Sequence, residues 1–193
     1  MNKLNTSGYG KLARGLLAMT LLFSSLQTFA EQVNSGENCQ LIANNAQIEY
    51  GQHSRGQMLQ RAPGASKLPF GRREIVLRAV CQQPTAIKLM VRGASDAQQQ
   101  FRFGQQGQLS LQVKNAQLDG SPVKMQLDDG RIQNESFLAP GNSLQPVNAG
   151  GQPLTGKVLT LQLELEASMT AAATRVNDIV RLEESLTFEL VTP

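Results

Sequence analysis

The chain contains no tryptophan, two tyrosines, two cysteines and one histidine, His53. Only Tyr50 of the tyrosines lies beyond the first thirty residues. So few rings exclude a platform that stacks RNA bases. One histidine and no Cys-x-x-Cys pair leave a zinc shell short of ligands. No Gly-x-Ser-x-Gly turn is present to lift a nucleophilic serine. After residue 30 no apolar run approaches the length needed to cross a membrane.

Residues 1–30 have the build of a secretory signal peptide. Lys3, Lys11 and Arg14 come first, an apolar run over 16–29 follows, and Thr28-Phe29-Ala30 puts small residues at the cleavage positions. The mature chain is then 31–193, enough for one domain with its own core. The formal net charge of +3 comes from that leader: 18 Lys and Arg less its three leaves 15, against 15 Asp and Glu. A neutral mature chain excludes binding to nucleic acid or anionic membrane that rests on a net basic surface.

Cys39 and Cys81 remain. An exported chain with an even cysteine count reads as disulfide-bonded. The bridge would close a loop of about 43 residues, which chain entropy values at roughly 4 kcal/mol.

Most of what is present alternates with period two. Ile75, Leu77, Ala79 and Cys81 share one face of 74–81; 87–91, 101–103, 109–113 and 123–127 follow the same pattern. The longest run is 159–167, apolar at every second position, and the last is 186–190. Such alternation predicts antiparallel strands with one buried and one wet face. Turn signals separate the runs: Arg92-Gly93, Phe103-Gly104, Asp119-Gly120, Asp129-Gly130, Pro140-Gly141 and Gly150-Gly151. The expectation is an all-β sandwich or barrel. Residues 168–180 read as the start of a short helix, a loop or a strand.

The candidates for chemistry are few. His53 sits between Gly51 and Gly56 in a polar stretch and reads as a surface-loop histidine. Asp128-Asp129-Gly130 lacks the spaced oxygens of a calcium loop and reads as a hairpin turn. Glu183 and Glu184 would point to opposite faces of a strand. Arg72-Arg73 reads as surface. A secreted hydrolase would need an acid/base pair, and none is visible. The expectation is no enzyme, no cofactor and no metal.

The order of features carries a resemblance. Cys39 comes early in the mature chain, followed by Ile48-Glu49-Tyr50-Gly51, a polar loop, Leu77-Arg78-Ala79-Val80-Cys81-Gln82-Gln83-Pro84-Thr85, and a terminal Leu186-Thr187-Phe188-Glu189-Leu190. Over 39–191 this resembles subunits of chaperone–usher pili, in particular β-fimbria-type pilins. The resemblance implies an immunoglobulin-like antiparallel β-sandwich without its final strand, and a disulfide from the first strand to the strand ending in Cys81. It implies three partners: a periplasmic pilus chaperone, an outer-membrane usher and a neighbouring fimbrial subunit. Chaperone and neighbour would each lend a strand to the groove beside the C-terminal strand, touching Leu186, Phe188 and Leu190. Any buried edge strand would alternate in the same way. The chain ends Val191-Thr192-Pro193, without the aromatic penultimate residue of many pilins.

A donor extension must fill a groove about 30 Å long, roughly ten residues at a strand rise of ~3.3 Å. Residues 31–38 offer eight positions with one apolar side chain, Val33. The expected role is therefore a minor subunit at the fimbrial tip that accepts a strand, gives none, and takes part in adhesion at the cell surface. The rival reading is a self-contained exported β-sandwich that binds a ligand, glycan or protein.

Overall fold

The computed structural model describes residues 38–191; the expected leader over 1–30, residues 31–37 and the last two residues lie outside it. The elements in chain order are β1 (Cys39–Ala43), α1 (Arg55–Arg61), β2 (Lys67–Thr85), β3 (Lys88–Gly93), β4 (Phe101–Phe103), β5 (Gly107–Leu118), β6 (Ser121–Pro122), β7 (Lys124–Leu127), β8 (Ile132–Gln133), β9 (Ser136–Leu138), β10 (Ser143–Val147), β11 (Gly156–Thr170) and β12 (Leu186–Val191). One sheet runs β1-β2-β11-β5-β4, with β6 and β9 also on β5; the other runs β12-β3-β10-β7-β8. Every pairing between these strands is antiparallel. The fold is an all-β sandwich.

The alternating aliphatics make the core. On β11, Leu159, Leu161, Leu163, Leu165 and Ala167 are all buried, and Leu89, Val91, Met125 and Leu144 come from the other sheet. Each fully buried aliphatic contributes roughly 1.5–3 kcal/mol of transfer free energy.

Two strands are longer than their alternation. Lys114 is skipped in the pairing of β5 with β11, because Gln162 faces Asn115 and Leu163 faces Val113. This bulge shifts the inward phase from Leu109, Leu111 and Val113 to Ala116 and Leu118. Phe70 is skipped in the same way, between Ala167 facing Gly71 and Ser168 facing Pro69. The predicted end of a strand at Cys81 is corrected: β2 runs on to Thr85. Gly93, read as a turn signal, is the last residue of β3, where a Cβ would sit 2.7 Å from Leu186 Cδ2 and 2.9 Å from Phe101 Cδ1.

The disulfide joins Cys39 to Cys81. The two are direct cross-strand partners in β1 and β2. Gln82 N–H donates to the Asn38 carbonyl at 2.9 Å, so the cysteines occupy the next, non-hydrogen-bonded position, where facing side chains lie closest. Both are buried.

Residues 168–180 resolve into the end of β11 followed by a turn over 171–174, not a helix. The helix lies elsewhere. Ser54 caps α1, its hydroxyl accepting from Gln57 N–H while the Gln57 side chain accepts from Ser54 N–H. Met58 seats it on Leu68 and Met169 in a second, smaller core.

Candidate functional site

Four strands end the two sheets, β1 and β4 in one and β12 and β8 in the other. β12 pairs with β3 and β1 pairs with β2; the outer edge of each has no partner among the described residues. The two are also close to each other across the sandwich.

The direction of the free backbone groups follows from the register. Val91 donates its N–H to the Asn142 carbonyl (3.0 Å), and its carbonyl accepts from Gly141 (2.8 Å), so its polar groups face away from β12. Phe188 is the partner of Val91. In an antiparallel pair both members of such a position turn their groups outward. Leu186, Phe188 and Leu190 therefore present N–H and C=O to the open edge. Thr187, Glu189 and Val191 spend theirs on β3.

β1 obeys the same rule. Asn38 accepts from Gln82, and Asn44 N–H donates to the Val76 carbonyl at 3.1 Å. The residues between at odd positions, Cys39, Leu41 and Ala43, present theirs to the open side. On β12 the residues with free backbone groups carry the core-facing side chains; on β1 this holds for Cys39 and Leu41, while Ala43 is exposed.

Burial is graded along this site. Phe188 is 9 % exposed, while Leu186, Leu190 and Leu41 are partly buried against the main core. On the opposite face of β12, Glu189 accepts from Arg92 at 2.8 Å. The sequence singled out Leu186, Phe188 and Leu190, and the structure places all three on this edge. It missed Leu41 and Ala43, whose alternation is blurred by Ile42, an isoleucine pointing outward at 50 % exposure.

His53 lies in a loop, as expected, and is partly buried there. Its Nε2 lies 2.7 Å from the Tyr50 carbonyl and its Nδ1 lies 2.7 Å from Arg61 Nη2. A guanidinium only donates, so Nδ1 accepts and Nε2–H donates. The ring also meets Phe70 edge-on at 5.4 Å. With both nitrogens committed, His53 anchors the residue-50 stretch to α1.

Tyr50 is the centre of that anchor. Its hydroxyl donates to the Leu165 carbonyl at 3.1 Å, and its ring touches Phe70 and Phe103. Burial pushes its hydroxyl up to about 12, against the opposing pull of Arg73, whose guanidinium lies over the ring at 5.3 Å.

The remaining candidates are structural. Arg72 donates to Glu166 at 2.7 Å across the outer face. Asp129 caps the turn into β8 by accepting from Arg131 N–H at 2.9 Å. Glu183 pairs with Arg181, while Glu184 faces a different environment. No three His, Cys, Asp or Glu side chains converge as metal ligands among the described residues. No family model matches this chain, and no curated protein matches it.

Proposed function

We propose that the protein is a strand-accepting structural subunit of an extracellular chaperone–usher fimbria. The observation that carries this reading is the open edge of β12, where Leu186, Phe188 and Leu190 combine core-facing side chains with unpaired backbone groups. An added strand gains main-chain hydrogen bonds from these groups and packs alternate side chains between the sheets. The sandwich is immunoglobulin-like in this reading and lacks its final strand. A periplasmic chaperone lends a strand first; after passage through the outer-membrane usher, a neighbouring subunit replaces it. The short, polar segment 31–38 supports a minor place at the tip, with a part in adhesion.

The test is co-expression with a cognate periplasmic pilus chaperone. Phe188→Asp is expected to abolish the chaperone complex that the unaltered chain forms. A normal yield of complex would overturn the reading. Immunogold label confined to fimbrial ends is expected for the tip position; label along whole shafts would exclude it.

One observation favours the self-contained binding module. Phe188 is already buried to 9 % exposure in the chain alone. In that reading the purified chain is a stable monomer without any partner strand.

A further inference from the structure

We propose, resting on the strand-acceptor reading, that the docking edge runs back beyond β12 to Leu182, and that the strand it takes carries a hydrogen-bond donor opposite Glu184. Residues 179–185 contain no turn and no bend, and belong to neither sheet. Their burial alternates in phase with β12. Leu182, Glu184 and Leu186 are partly buried, while Arg181, Glu183, Ser185 and Thr187 are exposed. The segment is also fixed in place: Leu182 sits against the β4–β5 turn, so that a Cβ on Gly104 would meet its Cδ2 at 2.9 Å.

Length argues in the same direction. Six residues of β12 span about 20 Å, and the ten residues 182–191 span about 33 Å at the strand rise. Continued alternation would turn the N–H and C=O of Leu182 and Glu184 to the same open side as those of Leu186. A cleft of about 700 Å³ lies along this stretch, lined by residues 181–184 and by Arg102, Gln105 and Gln106.

Glu184 sets the chemistry of the occupant. It makes no ion pair among the described residues, and its Oε1 accepts only from the N–H of Ser185 at 3.2 Å. Covering a carboxylate with hydrocarbon is costly. A strand with an apolar side chain at every facing position is therefore disfavoured at this one level. A strand with lysine there, between apolar neighbours, fits.

The probes are two labelled peptides added to the full chain, read by fluorescence polarisation. For an antiparallel strand they are Thr-Val-Thr-Val-Thr-Val and Thr-Val-Thr-Val-Thr-Val-Thr-Lys-Thr-Val. The longer one is expected to bind at least tenfold more tightly. Glu184→Pro removes an N–H from the open side and is expected to erase that advantage. Glu183→Pro removes one from the far side and is expected to keep it. Phe188→Asp should lose both peptides. Equal binding of the two peptides, or equal effects of the two prolines, would overturn the extended edge while leaving the β12 reading standing. Failure of both peptides on the unaltered chain would overturn the two together.

Discussion

β11 and β12 carry the same sequence pattern and have opposite situations. Both place apolar residues at every second position. β11 is flanked by β2 and β5, and five of its side chains are buried in the middle of the sandwich. β12 has β3 on one side and, among the described residues, no strand on the other, with only Phe188 buried. Alternation therefore reports that one face of a strand is dry. It says nothing about how many of its edges are paired, and pairing is what separates a central strand from an edge strand.

The largest effect should come from untying the edge. Cys39→Ser with Cys81→Ser releases β1 from β2 and is expected to cost about 4 kcal/mol in urea unfolding, through the freed loop. An unchanged midpoint would mean that β1 holds by its hydrogen bonds alone. The next test sets one truncation against its twin. Leu163→Ala, fully buried on β11, is expected to cost about 2–5 kcal/mol. Leu190→Ala, half-buried on β12, is expected to cost less than half of that in the same titration, and to weaken strand capture instead. Equal losses would erase the distinction between the two strands.

Tyr50 provides a smaller effect with a defined pH window. Its hydroxyl is neutral in the folded chain up to about 12, whereas a free tyrosine ionises near 10. The folded state thus holds a proton that the unfolded state releases first. Stability is complete below about pH 10 and falls as pH rises toward 12. Tyr50→Phe is expected to remove this alkaline loss, and to cost about 1 kcal/mol at neutral pH through the hydrogen bond to Leu165. Alkaline unfolding followed by circular dichroism distinguishes the two outcomes. The smallest effect is expected at Arg92→Ala, on the exposed face of β3 beside β12. Its pairing with Glu189 is solvent-accessible, so the urea midpoint should barely move.

The strands that were legible in the sequence are those whose inward phase does not reverse along the run. β3, β4, β7, β11 and β12 lie close to their predicted ranges. β2 and β5 were legible over about half their length, because the bulges at Phe70 and Lys114 reverse the inward phase. β10 escaped notice because Pro146, which has no N–H, interrupts Ser143–Val147. α1 was signalled by Ser54 and Gln57 in capping-box spacing, but Gly56 in its first turn weakens the helical pattern. At the edge of β12 the side-chain set was readable from its alternation, whereas an open edge was expected only through the resemblance, because alternation does not report strand neighbours.

The disulfide also decides where the molecule yields under tension. A pull on the chain ahead of Cys39 passes through a covalent bond into β2, which is zipped to β11 along most of its length. The five residues of β1 are shielded from peeling. At the other end a pull on Val191 is opposed only by the ladder to β3 and by the packing of a six-residue strand. The C-terminal strand is thus the mechanical fuse of the isolated chain, and a second ladder on its open edge would raise the force at which it gives way.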